Sequence, residues 1–429
     1  MNLLELAEKL VAFDTVSKKT TLPMAAFASQ YLQDLGFEIE EYPYKTEGVC
    51  KVNLIARKGG SDSRLVLAGH MDTVPAGSEW KSNAWTLTRK DNVFCGLGIA
   101  DMKFFLAVAM KASEEFRSAK LHHPFALCFT SDEEVGCLGA KKLVDAVRAR
   151  GRKIGDYVVI GEPTQSQPIF AHKGYIYLEV SVEALQDEHS REGKKDNSAH
   201  SSDPRKTTNA VEKTMTVVME ELRKFKERIE QISDPRFDPD YPTMNIGGNI
   251  IIGRRPKPEK EGKVEAGSEK EEKVQKLILD KFSKNIIPRG YTIESDIRFV
   301  PGQDPEELIH ILKVNITDRI ARIKTTVLNE DFRVTVRGKR RAGYPMETPR
   351  TSRIVTLAEE ISGSAAGTTP YNTEGHIFNK AGSQTLIWGP TDIGQAHNDN
   401  EYVPAELFDE KTIQPYVRLI RAMCVEGGE

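Results

Sequence analysis

The chain has 429 residues, long for one hydrophobic core, so two domains are the default expectation. A formal charge of −3 and a pI near 6.4 leave neither sign in excess, which argues against nucleic acid or a membrane surface as partner. No segment approaches a membrane span, and five scattered cysteines (Cys50, Cys95, Cys128, Cys137, Cys424) without Cys-x-x-Cys spacing point to a reduced, cytoplasmic protein with small buried thiols.

In chain order, MNLLELAEKLVAF has apolar residues at helical spacing and lacks the basic start and unbroken apolar run of a secretory signal, so it predicts a first helix. VNLIARKG and RLVLAGH read as strands, FFLAVAMKASEEF as a helix and FALCFTSDEE as a strand. CLGAKKLVDAVRAR then reads as a helix and DYVVIGEP as a strand. Short apolar strands alternating with amphipathic helices predict an α/β layer with a mixed, largely parallel sheet, whose functional residues gather beyond the strands' carboxyl ends.

The middle of the chain changes character. YIYLEVSVEAL alternates like a half-exposed strand, and a helical pattern runs from Thr208 to Ile232. TMNIGGNIIIG and YTIESDIRFVPG follow as strands, then a helix from Pro305 to about Arg322 and the strand FRVTVRG. This order predicts a small α+β domain over residues 174–338, inserted between catalytic-domain segments 1–173 and 339–429. RIVTLAEEISG and SQTLIWGP return to helix and strand. Two stretches are too polar to join a core: 186–197, and 256–273 with the sequence PKPEKEGKVEAGSEKEEK.

The strand-like segments end in ionisable groups. His70 and Asp72 lie two apart at the end of RLVLAGH, so both should leave the strand on one face. Glu133 and Glu134 end FALCFTSDEE on diverging faces, Glu162 ends DYVVIGEP, and Asp101 sits in the Gly-rich turn GLGIADMK. His397 comes late, in GPTDIGQAHNDNEYVP. Converging buried carboxylates repel one another, so a cation is their natural neutraliser. Imidazole with carboxylate suits zinc, cobalt or manganese, and two histidines with three carboxylates suffice for two ions if one carboxylate bridges.

The ordered motifs GHMDTVP, GLGIADMK, TSDEEVG, VIGEPT, AHSSDP, NIIPRG and QAHNDNEYVP resemble those of the di-zinc aminoacylase and metallopeptidase family. That family includes acetylornithine deacetylases, succinyl-diaminopimelate desuccinylases and glutamate carboxypeptidases. The resemblance implies a zinc-peptidase-like catalytic domain with an inserted α+β lid and dimerisation domain, and two divalent metal ions, zinc foremost with cobalt as the alternative. It implies His70 and Glu162 as terminal ligands of one ion, Glu134 and His397 of the other, and Asp101 as the bridge, followed by a cis peptide to Met102. Glu133 is similar to the family's general base and Asp72 to the carboxylate that orients the first imidazole. His200 matches the histidine that, in dimeric relatives, reaches the partner's active site and steadies the oxyanion. Asn285 and Arg298 match residues holding the substrate carboxylate. Thr373, Glu374 and Gly375, in YNTEGHIF, fall where relatives line the pocket, and Glu374 suits a cationic substrate side chain. Phe104 stands where most relatives carry glycine.

The activity implied is metal-assisted hydrolysis of the amide of an N-acyl amino acid by a cytoplasmic homodimer. YNTEGHIF is most similar to the acetylornithine deacetylases, which implies N-acetyl-ornithine as substrate and a place in arginine biosynthesis. The desuccinylase, dipeptidase and carboxypeptidase readings share the same ligands. An inactive metal-bound scaffold is the reading outside enzymes, and the presence of Glu133 speaks against it.

Overall fold

The computed structural model describes residues 1–185, 201–202, 208–252, 287–323, 332–338 and 343–426. His200, Asn285 and the polar stretches 186–197 and 256–273 lie outside the described residues. The chain divides into two compact units, Met1–Lys173 with Gly343–Glu429, and Gly174–Ala342.

The first unit is built on a nine-stranded mixed sheet. Its centre is parallel: Phe125–Thr130, Leu65–His70, Tyr157–Pro163 and Gln384–Gly389 lie side by side in that order. The flanks continue antiparallel through Val49–Lys58 and Glu38–Thr46 on one side and Ile169–His172 and Met346–Glu347 on the other, and the ninth strand, Gly367–Thr369, pairs parallel with Ile169–His172. The central strands Leu65–His70 and Phe125–Thr130 are buried along their whole length, as parallel strands covered on both faces must be. Helix Leu138–Ala149 packs Leu143 and Val147 on the face of Val66, Ala126 and Val158. Helix Phe104–Ser113 takes the opposite face, where Gly69 and Gly161 leave room for Leu106 and Phe105. Phe104 is buried, with its ring centroid 4.8 Å from that of Phe408, which in turn lies 4.7 Å from Phe94.

The strand expected over FALCFTSDEE ends at Thr130. Asp132 takes φ +60°, which breaks the extended backbone, so Glu133 and Glu134 lie on a turn ahead of helix Leu138–Ala149 rather than on a strand.

The second unit is a four-stranded antiparallel sheet in the order Thr243–Ile252, Gly290–Phe299, Gly174–Ala184 and Phe332–Gly338. Helices Ala210–Ile229 and Pro305–Ala321 cover one face, packing Leu222 and Leu312 on Leu178, Val180 and Ile293. Polar pairs occupy the other face, among them Tyr177 with Glu294 at 2.7 Å. Among the described residues no helix is long and apolar enough to cross a membrane. All five cysteines are free, and Cys50 is exposed rather than buried.

Candidate metal centre

Register brings the first donors together. The parallel ladders pair His70 with Thr130 and Ala68 with Ile160, so His70, Glu162 and the turn after Thr130 emerge at one end of the sheet. His70 Nδ1 lies 2.9 Å from the Asp72 main-chain carbonyl. A carbonyl can only accept, so Nδ1 carries the proton and Nε2 is the nitrogen left for ligation. Nε2 lies 3.1 Å from Asp101 Oδ1 and 3.9 Å from Glu162 Oε1. On the other side, His397 Nε2 lies 3.0 Å from Glu134 Oε2 and 3.5 Å from Asp101 Oδ2. Asp101 therefore presents one oxygen to each imidazole.

Two donor groups result, His70–Asp101–Glu162 and Asp101–Glu134–His397, each with ligand atoms within 4.8 Å of one another. The electrostatics fit cations. Burial, backed by neighbouring carboxylates, pushes Glu133 up to about 8 and raises Glu162 and Glu134. For His70, burial favours the neutral ring, but the Asp101 hydrogen bond outweighs it and holds the pKa well above the usual histidine range. The Glu134 hydrogen bond lifts His397 to about 9. Each ring thus holds a proton on the nitrogen that faces the carboxylates, where a bound cation would use the same lone pair and neutralise the same oxygens.

The turn carrying the acids is tied down from several sides. Asp72 was expected to orient His70 through its carboxylate, but that group lies 3.9 Å from Nδ1, and the backbone carbonyl makes the contact instead. The Asp72 carboxylate accepts from Ser17 Oγ at 2.7 Å and from the Glu133 and Glu134 amides at 3.1 and 3.4 Å, so it organises the acidic turn. Cys137 Sγ donates to Glu133 Oε1 at 3.1 Å. Asp132, Cys137 and His397 all take positive φ (+60°, +55° and +63°), conformations that persist for such residues only where the surroundings over-determine them. The Asp101–Met102 peptide is cis.

Thr373, Glu374 and Gly375 are all buried. Glu374 is fully enclosed: Thr130 Oγ1 donates to its Oε2 at 2.8 Å, and Oε1 has no partner among the described residues. Burial pushes it up to about 7, and its carboxylate has no exposed surface facing the solvent from which a substrate ammonium would come. Thr373 is buried with Oγ1 accepting from the Gly375 amide at 3.1 Å, and a Cβ on Gly375 would come within 3.0 Å of Met346 Sδ. Arg298 lies in the second unit on strand Gly290–Phe299, its guanidinium 4.2 Å from the Tyr175 ring centroid.

One residue escaped the sequence reading. Glu401, four positions after His397 in the same motif, is buried, and its carboxylate accepts from the Gly98, Ala100 and Asp101 amides. Burial pushes it up to about 8 against the downward pull of those amides. No local signal marked it, since Glu401 follows Asn398, Asp399 and Asn400 and reads in the sequence as one more polar residue of a turn.

The chain is similar to known proteins over most of its length. Residues 66–425 match the model of peptidase family M20/M25/M40. The acetylornithine deacetylase of Myxococcus xanthus is 32% identical over 410 residues, covering 93% of this chain and 91% of that protein. The acetylornithine deacetylase of Proteus mirabilis is 30% identical, covering 98% and 97%. An M20 family metallo-carboxypeptidase from Sulfolobus solfataricus has a similar fold, with a TM-score of 0.67 at 17% identity over 98% of this chain and 99% of its own. The chain belongs to peptidase family M20/M25/M40 and is a metal-dependent amidohydrolase.

Proposed function

We propose that the protein hydrolyses the amide of an N-acyl amino acid, with N-acetyl-ornithine as substrate and ornithine and acetate as products. The observation that carries the hydrolytic part is Asp101, whose two oxygens face two separate imidazole–carboxylate groups beside Glu133. The choice of substrate is supported by relatives named acetylornithine deacetylase that match nearly end to end. His70, Asp101 and Glu162 would hold one cation and Asp101, Glu134 and His397 a second, with zinc as the first choice and cobalt as the alternative. Such ions polarise an acyl carbonyl and acidify a water.

Glu133 takes the proton of the attacking water and delivers it to the leaving amine, a task suited to a carboxyl raised toward neutrality. Its Oε1 is held by the Cys137 thiol, which aims the other oxygen. Arg298 and Asn285 bind the substrate carboxylate, Thr373 and Gly375 shape the pocket wall, and His200 donates to the oxyanion across a homodimer formed through the second unit. The free cysteines fit a reducing, cytoplasmic setting, and arginine biosynthesis is the matching pathway.

Steady-state rates on N-acetyl-ornithine and N-succinyl-diaminopimelate, with zinc restored after chelation, test the substrate. A higher kcat/KM for the acetyl compound is expected. Preference for the succinyl compound, or for an unblocked dipeptide run in parallel, overturns the assignment.

A further inference from the structure

Glu401 belongs to neither donor group, yet it grips the turn that carries the residue shared by both. Its Oε2 accepts from the Gly98 amide at 2.8 Å, and its Oε1 from the Ala100 and Asp101 amides at 2.6 and 2.9 Å. Its own carbonyl accepts from the Gly96 amide at 3.1 Å. The turn can curl three amides toward one point because Gly98 sits at φ +73°, where a Cβ would come within 2.4 Å of Thr73. From the other side, Thr391 Oγ1 donates to the Ala100 carbonyl at 2.7 Å.

The third of these amides belongs to Asp101 itself, one bond from the Cα that bears the shared carboxylate. A small rotation there would swing both oxygens, one away from His70 and the other away from His397. Glu401 also follows His397 by four residues, so one segment supplies a donor to one group and an anchor for the carboxylate common to the two.

We propose that Glu401 is a positioning residue, whose carboxylate aims Asp101 by gripping the Gly98, Ala100 and Asp101 amides so that one Asp101 oxygen serves each donor group. The proposal rests on the two-cation reading above. A glutamine at 401 would turn one acceptor into a donor facing a donor, leaving at least one amide unpaired.

The test is zinc titration of the metal-stripped protein by calorimetry with a competing chelator, alongside its urea unfolding. For Glu401→Gln, both zinc affinities should fall about 10–100-fold, the usual effect of losing a residue that orients a ligand. Glu162→Gln, which alters one donor group, should weaken chiefly one. A purely structural role would instead lower the unfolding midpoint of the metal-free protein and leave zinc affinity unchanged. Both affinities within about twofold of wild type would therefore overturn the proposal. If Glu401→Gln does not fold, Glu401→Asp keeps the anion but shortens its reach by a methylene; it should lose affinity likewise, and unchanged binding again counts against the proposal. A wild type that takes up only one zinc overturns the two-cation reading, and with it the claim that two sites depend on Glu401.

Discussion

At the scale of single residues, Glu133 and Glu134 are chain neighbours with different surroundings. Glu134 hydrogen-bonds His397, while Glu133 is held by a thiol and raised toward neutrality by burial. Glu133→Gln should therefore lower kcat about 10²–10⁴-fold, the usual share of a general base, while zinc content measured by elemental analysis stays at the wild-type level. His376 offers a pH test away from the donors. It is buried, Nδ1 donates to the Thr373 carbonyl at 2.7 Å, and burial pushes its pKa down to about 4. Above pH ~6.5 the ring is neutral in folded and unfolded chains alike and contributes nothing. As pH falls toward 4 the unfolded chain binds the proton first, so stability drops by about 3 kcal/mol and then levels off. His376→Asn keeps a donor for Thr373 and removes the titration. Urea midpoints across pH 4 to 7 should fall less steeply for the variant than for wild type.

At the scale of elements, His70, Glu162 and the turn bearing Glu134 are placed by three parallel strands whose ends coincide, while Asp101 and His397 come from turns. The strand periodicity and the residue at each strand end were legible in the sequence, because a buried parallel strand is a short apolar run closed by a polar residue. The strand expected through FALCFTSDEE stops at Thr130 because Thr, Ser and Asp can leave a strand as well as extend it, and the turn at Asp132 sets its carboxylate 3.0 Å from Lys51 Nζ and 3.1 Å from the Tyr44 hydroxyl. Close approach between elements is the second device. A Cβ on Gly161 would fall 1.9 Å from the Phe105 ring, so strand Tyr157–Pro163 and helix Phe104–Ser113 touch at that glycine. Gly161→Ala should destabilise the protein by about 1–3 kcal/mol through overpacking, read from urea unfolding. Because Glu162 is the next residue, zinc affinity should drop as well.

At the scale of the whole molecule, both donor groups found among the described residues lie in the unit formed by Met1–Lys173 and Gly343–Glu429. Removing metal leaves that unit with raised, mutually repelling carboxyls, whereas the core of Gly174–Ala342 is built from Leu178, Val180, Tyr291 and Leu312 without them. Chelation should therefore loosen hydrogen exchange at Leu65–His70 and Tyr157–Pro163 and leave Gly174–Ala184 unchanged. Restoring zinc at 1,000 times its dissociation constant should return about 4 kcal/mol to the first unit.

By itself the sequence determined the order of helices and strands, the existence of a separate α+β segment and the identities of the acids and imidazoles at the strand ends. Those features are written in residues a few positions apart, through periodicity and turn chemistry. Tertiary structure alone decided which atom meets which. It gave the His70 proton to a carbonyl rather than a carboxylate, enclosed Glu374, and set Glu401 against amides about 300 positions earlier in the chain. Burial and hydrogen-bond geometry depend on segments far apart in the chain, and no local pattern carries that information.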